Sequence, residues 1–134
     1  SALEGAISLN LSDTTADRFK CMLVTSSYTP DFDTHDYKAD VTNEVSGTGY
    51  SAGGASLTSV TFTISSGSLV WDAADVSWTE STITSAAAAV IYDDTLTNDP
   101  LIAYIDFGGS FSTTSGTFQI QWNASGIFTL DLTP

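Results

Sequence analysis

The feature that most constrains this chain is a two-residue period in hydrophobicity that recurs in three separated segments. Val60, Phe62 and Ile64 alternate with Ser59, Thr61 and Thr63. Phe118, Ile120 and Trp122 alternate with Thr117, Gln119 and Gln121, and Phe128, Leu130 and Leu132 alternate with Thr129 and Asp131. Successive side chains of an extended chain point to opposite faces, so each segment has one apolar face and one wet face. Strands of that kind belong to antiparallel sheets buried on one side.

Two further segments are apolar on both faces. Residues 86–92 and 101–107 read as central strands, or as strands that also face a partner. The run Ala86-Ala87-Ala88-Ala89 has helix propensity, and a short helix is the alternative there. Ile83 and Val90-Ile91-Tyr92 frame it as a strand with small side chains. Turn-forming strings punctuate the chain: Ser65-Ser66-Gly67, Asp93-Asp94, Asn98-Asp99-Pro100, Gly108-Gly109, Ser115-Gly116 and Asn123-Ala124-Ser125-Gly126. Short strands so spaced predict an all-β fold, an antiparallel β-sandwich with the jelly-roll as a candidate arrangement. One short helical turn is expected within residues 34–41. The expected core is Phe62, Ile64, Val90, Ile105, Phe118, Ile120, Trp122, Phe128 and Leu130.

A length of 134 residues fits one domain with a core of its own. The division expected is an N-terminal arm, residues 1–16, and a sandwich domain, residues 17–134. The start Ser1-Ala2-Leu3-Glu4-Gly5 has no basic region followed by an apolar one, so no secretory leader is expected. No apolar run is long enough for a membrane-spanning helix.

Sixteen acidic residues against three basic ones give a net charge of −13. Such a field repels phosphate backbones and anionic lipid, so neither nucleic acid nor membrane is an expected partner. It favours solubility and docking on a basic partner. Cys21 is the single cysteine, which excludes an internal disulfide, and its apolar neighbours predict a buried, inert thiol.

The polar residues offer several candidate sites, each with a plainer reading. Asp31, Asp33 and Asp36 surround Phe32 and His35, but the calcium-loop pattern of the EF-hand needs Gly at its sixth position and Glu at its twelfth. Asp36 and Thr42 stand there, so a solvated acidic turn is expected and no metal. His35 is the only histidine and has no placed nucleophile beside it, so no catalytic triad is read. No Gly-x-Ser-x-Gly elbow occurs, and Gly47-Thr48-Gly49 reads as hairpin chemistry. Asp72 and Asp75 with Trp71 and Trp78 could pair as glycosidase carboxylates, but a tight turn explains the same residues. No catalytic residue and no cofactor are expected. Tyr28, Tyr37 and Tyr50 fall in loops and are interface candidates.

Several strings resemble those of a family of small virion structural proteins of tailed bacteriophages and prophages. They are Met22-Leu23-Val24-Thr25-Ser26-Ser27-Tyr28-Thr29-Pro30-Asp31, Asp40-Val41-Thr42-Asn43-Glu44-Val45 and Gly47-Thr48-Gly49-Tyr50. Further on they are residues 71–78 (Trp-Asp-Ala-Ala-Asp-Val-Ser-Trp), Ala89-Val90-Ile91-Tyr92-Asp93-Asp94, residues 100–108 and Gly116-Thr117-Phe118-Gln119-Ile120-Gln121-Trp122. The resemblance covers nearly the whole chain from Phe19 onward. It departs at the N-terminus, where Ile7-Ser8-Leu9-Asn10-Leu11-Ser12 alternates like a strand and relatives carry a helical lead-in.

The resemblance implies a non-enzymatic virion component. The expected role is a head decoration (cement) protein on the outer head surface, made in the cytoplasm of a bacterial host. It would bind the major capsid protein and associate with itself about a two-fold or three-fold axis. A tail structural protein is the first alternative, and a carbohydrate-binding β-sandwich the second. Leu3, Ile7, Leu9 and Leu11 of the arm, with Tyr28 and Tyr37 of the loop beside Pro30, are the expected contacts.

Overall fold

The computed structural model describes residues 18–123 and 126–131. Among them it has β1 (Phe19–Thr25), β2 (Ala55–Ser56), β3 (Thr61–Ser65), β4 (Ser68–Asp72) and β5 (Val76–Ser81). There follow β6 (Ala86–Asp93), β7 (Leu101–Phe111), β8 (Gly116–Ile120) and β9 (Phe128–Asp131). The one helical turn described is a 3-10 turn at Lys38–Asp40, inside the segment where the sequence places it. Every strand pairing is antiparallel. Three sheets form, in the orders β2-β1-β6-β7, β3-β4-β9 and β5-β8. The chain is an all-β, sandwich-like domain, as its alternation predicts.

The largest sheet is apolar on both faces because both faces are covered. Phe19, Cys21 and Leu23 of β1, with Ala86, Ala89 and Ile91 of β6, enter the main core beside Trp71, Trp78, Phe118 and Ile120 from the other two sheets. Met22 and Val24, with Ala88, Val90 and Tyr92, point the other way and pack with Tyr28, Val41 and Tyr104. The alanine run is therefore a central strand, held between β1 and β7. Its small side chains let both layers close over it, and burial overrides helix propensity.

Beyond β2, the outer edge of β1 is sealed by the segment from Asn43 to Leu57. Thr25 N–H donates to Asn43 O at 2.9 Å, Val45 N–H to Leu23 O at 3.0 Å, and Leu57 N–H to Phe19 O at 2.9 Å. The glycines of this segment are demanded by contact. A Cβ on Gly54, whose φ is +82°, would land inside the carbonyl of Cys21. A polar knot fixes the same segment. Tyr50 Oη accepts the Leu23 N–H at 3.0 Å and donates to Glu44 Oε2 at 2.6 Å, which also accepts the Gly53 N–H at 2.7 Å.

Two expectations are corrected by the fold. Ile64 was expected in the core but is 64% exposed. It lies on the face of Phe62, yet close to the Ser66-Gly67 tip of the β3–β4 hairpin, where no described side chain covers it. Gly108-Gly109 was expected as a turn between strands but lies inside β7. Ala88 pairs with Asp106 and Ala86 with Phe111, so residues 107–110 form a bulge. Val90, Phe118 and Ile120 are buried as expected. Phe62, Ile105 and Trp122 are partly buried against the core, and the side chains of Phe128 and Leu130 lie outside the described set.

Candidate interaction surfaces

The acidic loop is built from its own turns. Asp31 Oδ1 accepts the N–H groups of Asp33 at 3.0 Å and Thr34 at 3.2 Å. These bonds, the one from Asp33 first, hold the Asp31 carboxyl below its ordinary range. Asp40 Oδ2 accepts the N–H groups of Asp36 and Tyr37, each at 3.0 Å, and so closes the 3-10 turn. His35 Nδ1 accepts the Asp31 N–H at 3.2 Å and bonds the Tyr28 hydroxyl at 3.0 Å. Among the described residues, no three His, Cys, Asp or Glu side chains converge as metal ligands would. The carboxylates of Asp31 and Asp40 are occupied by backbone donors.

The expected interface tyrosines sit deeper than loop residues usually do. Tyr28 is 5% exposed and stacks on His35 at 5.6 Å. Tyr50 is also buried, inside the polar knot. Tyr28 and Tyr50 thus serve the domain itself, because the loops that carry them fold back on the large sheet. Tyr37 is half-buried and forms an isolated bridge with Pro100. Leu3, Ile7, Leu9 and Leu11 lie outside the described residues.

What the loop does present is Phe32, which is 79% exposed. Its ring meets Tyr104 edge-on at 6.3 Å, and Tyr104 lies 6.2 Å from Tyr28. Position 32 is an aromatic between two aspartates in a Pro-bordered loop, a signal the sequence reading absorbed into the acidic cluster.

The second surface is a groove of about 580 Å³ between the margins of β7 and β8. Phe107 and Phe111 come from β7, Phe118 and Ile120 from β8, and Trp122 and Ile127 from the segment beyond. The β7 bulge brings the two β7 rings together at 6.3 Å, with Phe107 also 6.1 Å from Phe118. Phe111 stands on the rim, 53% exposed. None of the described residues that line the groove is charged, in a chain with 16 acidic ones. β7 is also the margin of its sheet among the described strands. Among the described residues its start is covered by the bridge of Tyr37 with Pro100 and the bond from Leu101 N–H to Asp36 O at 2.9 Å.

Comparison with protein-family models, with curated proteins and with solved structures finds no match.

The remaining candidates resolve into packing. Asp72 Oδ1 accepts the Ala73 N–H at 2.8 Å, and Asp75 Oδ1 accepts the Trp122 N–H at 3.0 Å. The Trp122 indole N–H donates to Ala74 O at 3.0 Å. Asp75 and the Ala74 carbonyl therefore clamp the connection between β4 and β5 to Trp122, just past β8, while Asp72 caps its own turn. Trp71 and Trp78 are buried, at 0% and 5% exposure, out of reach of a sugar. Cys21 is fully buried, and burial pushes its thiol up to about 12.

Proposed function

We propose that this chain is a non-enzymatic structural protein of a tailed-phage virion, a head decoration protein that binds the major capsid protein lattice from outside. The strings from Met22 to Trp122 that resemble the virion family support the class. The observation that carries the docking surface is Phe32: a large, exposed ring on a loop pinned by its own hydrogen bonds, set in an acidic surface. An ordered aromatic anchor ringed by like charges is the arrangement that binds a basic partner around an apolar contact. The charges steer association and the ring supplies affinity.

The mechanism is mass action. A protein that binds only the assembled shell stabilises it by RT ln(1 + [L]/Kd) per site, about 4 kcal/mol at a thousandfold excess over Kd. Repetition over the lattice multiplies the effect. Self-association about a two-fold or three-fold axis would match the symmetry of such a lattice.

Sedimentation of capsids mixed with wild-type or Phe32→Ala protein tests the reading. Retention of the wild type and its loss in the variant is the expected result. Retention of neither would move the protein to the tail, as would a copy number of a handful per virion.

A further inference from the structure

The rim of the groove between β7 and β8 is shaped by the β7 bulge. Asp106 Oδ1 accepts the Gly108 N–H at 2.8 Å, and Gly108 has a φ of +75° with nothing described within 4 Å of the place a Cβ would take. Glycine is required there by the turn of the backbone and not by a close neighbour. Such a bulge interrupts the regular ladder of a sheet margin, which works against pairing with a further strand. In place of a backbone edge it offers rings: Phe107 and Phe111 meet edge-on, and Phe111 stays half-exposed. Trp122 lines the same groove, its indole N–H fixed on Ala74 O and its backbone N–H on Asp75. Its ring is therefore held in place before any ligand arrives.

The polar part of the lining has its own order. Thr117, Gln119 and Gln121 share the wet face of β8 and its continuation, and all three border the groove. Gln121 Nε2 donates to Gln119 Oε1 at 3.1 Å. One bond between two amides leaves the Gln119 Nε2 donor beside the Gln121 Oε1 acceptor, both in exposed residues. Neighbouring hydroxyls of a sugar ring bond such a pair, one accepting while the next donates. A sugar ring also has a C–H face, which lies flat on an aromatic ring. Charge narrows the class of ligand further. The described lining carries no ionised group, while the chain as a whole carries −13. An anion is repelled by that field, and a cation finds no carboxylate in the described lining to pair with. A plain hydrocarbon would cover the amides without bonding them. The volume of about 580 Å³ falls within the roughly 300–1,000 Å³ of small-ligand sites.

We propose that the groove between β7 and β8 is a binding site for an uncharged saccharide chain, seated on the rings of Phe107, Phe111 and Trp122 and bonded by the Gln119–Gln121 amide pair. This is a second binding function, separate from that of the Phe32 loop. It does not depend on the capsid reading, and its failure would leave the capsid-retention test untouched.

The test is a titration of the ¹⁵N-labelled full-length chain with maltohexaose, cellohexaose, mannohexaose and N-acetylated chitohexaose. The expected result, with at least one of them, is a saturable shift of the Gln119 and Gln121 side-chain amides and of the Trp122 indole N–H. The signals of Asp31, Phe32 and Asp33 should stay where they are. Phe111→Ala, a change on the exposed rim, should weaken binding by about tenfold with the rest of the spectrum native. Gln119→Ala should weaken it as well, and Phe32→Ala should bind as the wild type does. The absence of a saturable shift with all four sugars would overturn the proposal. So would shifts that Phe111→Ala leaves unchanged. Groove shifts caused more strongly by an acetylated, amidated Thr-Val-Thr-Val-Thr peptide than by any of the sugars would mean strand addition, and would overturn it too.

Discussion

Tyr50 shows how one side chain ties a long loop to the core. Its hydroxyl satisfies the Leu23 N–H and holds Glu44, so Tyr50→Phe strands a buried donor, at a cost of about 1–3 kcal/mol in chemical denaturation. Burial, then the Glu44 bond, push its phenol above its ordinary value near 10; Tyr92 is shifted the same way, chiefly by burial. The folded state thus holds protons that the unfolded chain releases. Stability is complete below pH 10 and falls as pH rises above it, and Tyr50→Phe should flatten that fall in alkaline melts. Phe118, packed between Trp78 and Phe107, is a second test: Phe118→Ala should lose about 3–5 kcal/mol. The inward face of Phe118 was legible in the sequence because its neighbours alternate strictly. The exposure of Ile64 was not, since alternation fixes a face and says nothing about whether another layer lies opposite.

β6 is the element on which the large sheet depends. It buries Ala86 and Ala89 on one face and Ala88 on the other, with β1 and β7 on either side. Its strand state was readable from the flanking Val90-Ile91-Tyr92, though the tight two-sided closure was not. Overpacking should therefore be costly. Ala89→Leu is expected to destabilise by about 1–3 kcal/mol, measured as a lower denaturation midpoint with unchanged slope. β7 illustrates the limit of local reading. Residues 101–107 are apolar except for Asp106, which fits a central strand or one that faces a partner, and among the described strands β7 is a sheet margin that borders the groove. The groove itself was illegible, because its walls come from β7, β8 and Trp122, Asn123, Gly126 and Ile127 and meet only in three dimensions. The burial of Tyr28 was illegible for a related reason: a loop by composition can still be packed when it folds back over a sheet.

At the scale of the molecule, charge is the dominant unbalanced term. A net −13 on a domain this small repels itself in the compact state more than in the expanded one. Salt screens that repulsion over about 8 Å at physiological ionic strength, so the melting temperature should rise between low and moderate sodium chloride. A flat profile would show that the acidic groups are too dispersed to matter. The ion pair of Lys20 with Asp94 at 3.6 Å is partly exposed and contributes little against this trend.

The scarcity of cations has another consequence, for digestion. Trypsin can recognise only Arg18, Lys20 and Lys38 in the whole chain. Each lies in backbone that is already engaged: Arg18 O accepts the Asp94 N–H at 2.7 Å, Lys20 is inside β1, and Lys38 O accepts the Val41 N–H at 3.0 Å. A protease needs an extended, unpaired stretch, so the native chain should persist and be cut only when it opens. The rate of tryptic loss would then count opening events, and this acidic domain would report its own unfolding.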